Sequence, residues 1–102
     1  MMSNIIANLE GFDWDKGNIN KSLFKHKVSF LESEEVFAHK PLVILPDETH
    51  SDSKEQRFHA FGKTVLERLV LVSFTVRSKK IRVISARPMN AKEREFYAKF
   101  SQ

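Results

Sequence analysis

The chain has no cysteine and only three glycines and three prolines among its 102 residues. Without cysteine it has no disulfide framework, no thiolate metal site and no thiol nucleophile. So little glycine and proline excludes a collagen-like chain, and no glycine-rich phosphate loop or dinucleotide fingerprint is present. A nucleophile elbow and a His-Glu-x-x-His helix are also missing. No apolar run approaches the roughly 18 residues that span a bilayer, and Met1 to Gly11 lacks the basic and apolar stretches of a secretion signal. These absences lead to the expectation of a cytoplasmic protein that does not enter membranes. At 41% hydrophobic and 29% charged residues, the composition is that of a packed soluble fold, and the length allows one domain over residues 1–102.

Charge is unevenly distributed along the chain. Residues 1–56 carry 6 Lys against 10 acids, net −4, whereas residues 57–102 carry 11 Lys or Arg against 3 acids, net +8, including all six Arg. An Arg-rich half suits a polyanionic partner such as nucleic acid or an acidic protein, because the guanidinium fork pairs bidentately with phosphate or carboxylate. The alternative is an ordinary solvated basic face.

Periodicity predicts an α+β fold of two N-terminal helices, a four-stranded antiparallel sheet and a C-terminal helix. Ile19, Leu23 and His26 fall on one side of a helix over 15–27, with Asp15 as its N-cap. Ser29 and Glu32 have capping-box spacing, and Phe30, Val36 and Phe37 supply the core face of a second helix that ends before Pro41. Strands are expected over 42–45, 57–62, 68–77 and 80–87. Asn90 and Glu93 repeat the capping-box spacing, and Phe96 with Phe100 forms the seam of the last helix. Placing Val76 opposite Ile81 puts Val72, Phe74, Val76, Ile81 and Val83 on one face and Ser73, Thr75, Arg77, Lys80 and Arg82 on the other. A one-residue slip would bury Arg77 unpaired.

The four histidines, His26, His39, His50 and His59, are scattered and show no metal-ligand spacing; Asp47, Glu48 and His50 form only a loop cluster. Neither a metal nor a cofactor is therefore expected. What the residues do supply is the equipment for cleaving RNA without metal, since the 2′-hydroxyl of RNA is its own nucleophile once deprotonated. His26, Glu55 or Lys25 can move protons, and Arg57, Arg77, Arg82 and Arg87 can hold phosphate charge, with Lys80 beside them. Arg87 stands first, because it precedes a helix N-terminus where backbone amides favour anions, and Arg82 second. Tyr97 offers a ring for base stacking. Each has a structural alternative: His26 packing or bonding a last carbonyl, Glu55 and Arg57 as a strand ion pair, Arg77 and Arg82 shielding the sheet, and Tyr97 in the core seam.

Phe12-Asp-Trp-Asp15, Asn18, Lys21, Lys25-His26, Val28-Ser-Phe30, Val36-Phe37, Asp47, His50-Ser51, Arg57-Phe58, Gly62, Ile81 to Arg87, Glu93-Arg94 and Tyr97 occur in an order that resembles the BrnT toxins. The resemblance covers about residues 12 to 98. It implies a RelE-like fold and a bacterial ribonuclease of a type II toxin–antitoxin module that inhibits translation. It also implies a BrnA-like ribbon-helix-helix antitoxin as partner, with DNA reached only through that antitoxin and RNA as the substrate. Two departures stand out. Lys27 occupies a position where the family usually has glycine, and residues 1–11 have no counterpart, as though they were an extension.

Overall fold

The computed structural model describes residues 6–100. It contains α1 (Lys21–His26), α2 (Phe30–Ala38), β1 (Val43–Pro46), β2 (Arg57–Lys63), β3 (Leu69–Arg77), β4 (Lys80–Pro88) and α3 (Ala91–Ala98). The strands form one antiparallel sheet in the order β1-β2-β3-β4, so the α+β class and element order are those expected. No helix among the described residues is long and apolar enough to cross a membrane.

Strand alternation gives the sheet two unlike faces. Phe58, Ala60, Val70, Val72, Phe74, Ile81, Val83 and Ala86 point toward α1 and α2 and form the main core with Val28 and Val36. On the other face, Phe61 and Leu71 join Met89 and Tyr97 in a smaller core under α3. The hairpin register is the expected one, with Val76 opposite Ile81 and Arg77 opposite Lys80. A bulge after Ser73 leaves Ile84 without a partner, so that Ser73 faces Ser85 while Phe74 faces Val83. The second face is therefore only partly cationic, because α3 covers one end and Thr75 is buried with its hydroxyl donating to the Gln56 carbonyl.

Both capping boxes form, Ser29 with Glu32 and Asn90 with Glu93. The first helix is shorter than its periodicity suggests, and Asp15 does not cap it. Asp15 Oδ1 instead accepts from the Gly17 amide, and the Asp15 amide donates to Asn18 Oδ1, both at 2.8 Å. These side-chain bonds hold the backbone in turns and compete with helix formation until Lys21. Asn18 is buried, and its Nδ2 donates to the carbonyls of Asp13 and Val83, tying the turn to β4. In the last helix, Phe96 and Phe100 meet as expected, with ring centroids 5.2 Å apart, and Phe96 packs on Phe61, while the neighbouring Tyr97 takes the fully buried position and Phe100 is about half exposed.

The expected extension takes part in the fold where it is described; residues 1–5 lie outside the described residues. Glu10 donates to the Lys79 carbonyl, Ile81 to the Gly11 carbonyl and Asp13 to the Ile81 carbonyl, covering the β4 edge that would otherwise be open to another chain. Phe12 and Trp14 then pack edge-on against Phe37 and Phe30 of α2, at centroid distances of 5.5 and 5.6 Å.

Lys27 ends α1 in the left-handed conformation at φ 57°, and the cap closes through the Lys27 amide donating to the Leu23 carbonyl and the Val28 amide donating to the Ser22 carbonyl. A side chain is strained there, whereas glycine is not. Lys27→Gly is therefore expected to stabilise the protein by about 0.5–1 kcal/mol, read as a higher urea midpoint. An unchanged or lower midpoint would show that the Lys27 side chain contributes more than its backbone costs.

Candidate functional site

The sheet face not covered by α1 and α2 carries two polar rows and a third that is apolar except at β4. At the hairpin end, Arg57 of β2, Thr75 of β3 and Arg82 of β4 are register partners. The next row is His59, Ser73 and Ser85, and the third is Phe61, Leu71 and Arg87. Successive rows lie roughly 7 Å apart. The N-terminus of α3 overhangs the third row through Glu93, which receives two bonds of 2.8 Å from the Arg87 guanidinium.

The acid-rich first half of the sequence folds back on the Arg-rich second half. Arg82 lies 3.0 Å from Asp15 and 3.5 Å from Asp13, Arg77 donates to Glu55 at 2.9 Å, and Arg57 lies 3.6 Å from the same Glu55. Away from this face, Arg68 pairs with Glu32 and donates to the carbonyls of Lys27 and His26. Arg57 Nε is buried and has no partner among the described residues. A buried donor left unpaired costs free energy, so it marks a place where an acceptor would be held well.

His59 stands in the middle row. Its Nδ1 lies 3.0 Å from Ser73 Oγ and its Nε2 3.3 Å from Asp47 Oδ2. Asp47 also takes His50 Nδ1 at 2.9 Å and is buried beneath both rings. Burial alone would raise the Asp47 carboxyl, but bonds from the His50 ring and amide, and the charge of His59, hold it below its ordinary value. Both imidazoles thus converge on the one Asp47 carboxylate, and no group of three His, Cys, Asp or Glu residues is arranged to hold a metal ion among the described residues.

Of the residues singled out by sequence, Arg57, Glu55, Arg77, Arg82 and Arg87 come together on this face, and Lys80 is exposed beside Arg77. His26 and Lys25 do not join them. His26 ends α1 next to Arg68, at the opposite end of β3 from Arg77 and so roughly 30 Å of strand away. Tyr97 is 2% exposed, with its hydroxyl bonded to the Pro41 carbonyl, so its ring fills the smaller core and is not presented for stacking. Sequence reasoning missed His59 as a member of the site. Its signal was the alternation Arg57, His59, Phe61 within β2, which places the imidazole on the same face as Arg57.

The Arg87–Glu93 pair makes stability depend on pH. The Arg87 hydrogen bonds, helped by the Asn90 amide and opposed by burial, hold the Glu93 carboxyl below its ordinary value of 4.5. A carboxyl depressed in the folded state stabilises the fold above the unfolded value, and this contribution is lost as pH falls through the folded value. The gap in urea midpoint between the wild type and Glu93→Gln is therefore expected to be widest near neutrality and to close below about pH 4.5. A gap independent of pH would contradict the pairing.

No curated protein matches the chain. A family model described as "Ribonuclease toxin, BrnT, of type II toxin-antitoxin system" matches residues 14–93, a span that runs from Trp14 through all four strands to Glu93 and so includes most of the face described above. The chain accordingly belongs to the BrnT family of ribonuclease toxins of type II toxin–antitoxin systems.

Proposed function

We propose that the chain is a metal-independent endoribonuclease of the bacterial cytoplasm that inhibits translation by cutting RNA, using the substrate's own 2′-hydroxyl as nucleophile. The carrying observation is that Arg57 and Arg87 stand in the rows on either side of a polar row of His59, Ser73 and Ser85 on one sheet face, with Arg77 one row beyond Arg57. Guanidinium groups fixed around such a row stabilise the pentacovalent phosphorane, which carries more negative charge than the phosphodiester from which it forms. Arg57 and Arg77 share a single carboxylate, Glu55, so a phosphate entering there has one acid to displace. Arg82, 18% exposed and fixed between Asp13 and Asp15, serves better as the clamp that holds the N-terminal segment on β4.

A BrnA-like antitoxin is the proposed partner. Its carboxylates would meet the same Arg and Lys side chains, making antitoxin binding and RNA cleavage mutually exclusive. A second reading, a noncatalytic module that binds RNA or an acidic protein, is favoured by the carboxylate partners that Arg57, Arg77 and Arg87 already have in the free chain.

Cleavage of a mixed-sequence RNA, with and without ribosomes, separates these readings when it is repeated in excess EDTA. The proposal expects undiminished cleavage in EDTA and its suppression on titration with the antitoxin. Binding without cleavage would select the noncatalytic reading. Loss of cleavage in EDTA would shift the chemistry to Asp47, Glu48 and His50.

A further inference from the structure

His59 is the only ionisable side chain of the described residues that lies in the middle row of the open face, and both of its ring nitrogens are engaged. Asp47 Oδ2 stands 3.3 Å from Nε2, an ion-pair contact and not a hydrogen bond in the free chain, and an ionised carboxylate there favours the tautomer with the proton on Nε2. Nδ1 is then a lone-pair acceptor, and the group it meets is a hydroxyl, that of Ser73 at 3.0 Å. The His59 side chain is 30% exposed, whereas Asp47 beneath it is 9% exposed, so solvent and ligands reach the ring and not the carboxylate. This is a base, an orienting acid and a bound hydroxyl in sequence.

We propose that His59 is the general base of the RNA cleavage reaction, with Asp47 as its positioning residue and the Ser73 hydroxyl occupying, in the free protein, the place of the substrate's 2′-hydroxyl. The inference rests on the ribonuclease reading above and adds to it the group that moves the proton. In the reaction, Nδ1 takes the 2′-hydroxyl proton and the 2′-oxygen forms a bond to phosphorus. The bond from phosphorus to the 5′-oxygen breaks, and that oxygen leaves with its electron pair and takes a proton from water. The imidazolium returns its proton to the hydroxide so formed, leaving a 2′,3′-cyclic phosphate and a 5′-hydroxyl. While the ring is charged, Asp47 stabilises it through Nε2, a contact now 3.3 Å long that should tighten as charge develops. The other charged or titratable groups facing the ring are His50 from the β1–β2 loop, Arg57 from β2, Arg87 from β4 and Glu93 from α3. Glu93 is held by Arg87, and His50 by Asp47, so neither is placed to compete for the proton.

The test is the pH profile of single-turnover cleavage of a mixed-sequence RNA by the full chain and its His59→Ala, His59→Gln, Asp47→Asn and Ser73→Ala variants. The wild-type rate should rise with unit slope on the acid side and then level. His59→Ala should lower the plateau about 100-fold or more and abolish the rising limb, with RNA affinity falling far less. Free imidazole should restore part of the rate to His59→Ala, which a merely structural role would not allow. Asp47→Asn should lower the rate about 10-fold and displace the limb. Ser73→Ala should keep the limb. His59→Gln preserves ring-sized polar contacts, so its loss of the limb reads the chemistry even if the alanine variant unfolds. A His59→Gln rate close to wild type, with Arg57→Ala and Arg87→Ala inactive, overturns the inference and leaves the ribonuclease reading standing. Loss of the limb in Ser73→Ala overturns it by making the serine hydroxyl the reacting group. A wild-type chain that cuts no RNA overturns both.

Discussion

Arg57→Ala and Arg87→Ala are each expected to lower the single-turnover rate of RNA cleavage about 100-fold while weakening RNA binding much less. The two guanidinium groups flank the row of His59, Ser73 and Ser85 from opposite sides. A phosphate seated on that row would meet both. Each should contribute most when charge accumulates on the phosphoryl oxygens, so truncation removes transition-state stabilisation in preference to ground-state binding. Arg57 is the sharper case, because its buried Nε already lacks an acceptor among the described residues. For Arg87, truncation also frees Glu93 beside the site, so the Arg87→Ala, Glu93→Gln double variant isolates the loss of the guanidinium. If rate and affinity fall in equal proportion, these arginines are uniform binders and the catalytic assignment fails.

Asn18→Ala is expected to have the largest effect on stability, about 3 kcal/mol, with the m-value unchanged. The Asn18 side chain is 7% exposed and satisfies three backbone groups: the Asp15 amide and the carbonyls of Asp13 and Val83. Removing it leaves a part-buried amide and two carbonyls, that of Val83 buried, short of a partner and releases the segment that covers the β4 edge. Asn18→Asp should fall between the two, since it keeps the acceptor and loses both donors. Because Asn18 lies outside the polar rows, folded Asn18→Ala should cleave RNA at a rate within a few-fold of wild type. A loss below about 1 kcal/mol would mean that water replaces all three bonds.

What the sequence reveals and conceals here follows from the range of the interactions involved. The two capping boxes and the Val76–Ile81 register depend on residues three to five apart, and all form as read. The first helix is shorter than its apolar period, because that period loses to side-chain bonds from Asp15 and Asn18, one of which depends on a β4 carbonyl 65 residues away. The charge asymmetry was legible, but the pairing of Arg82 with Asp13 and Asp15, and of Arg77 with Glu55, appears only once the chain closes. His26 is a candidate by its imidazole alone, and its helical position points to a structural role; α1 stops at the end of the sheet away from Arg57 and Arg77. No spacing along the chain marks His59, because its partners Asp47 and Ser73 approach it across two neighbouring strand pairings.

The central claim, cleavage through the 2′-hydroxyl without metal, is tested most directly by the chemistry of the product ends. RNA cut by the purified chain in EDTA should carry 2′,3′-cyclic phosphate and 5′-hydroxyl termini, and an RNA with a 2′-deoxy sugar at the cleavage site should stay intact there. Termini bearing a 3′-hydroxyl and a 5′-phosphate, or cleavage of the deoxy-substituted position, would show that water is the nucleophile and contradict the account.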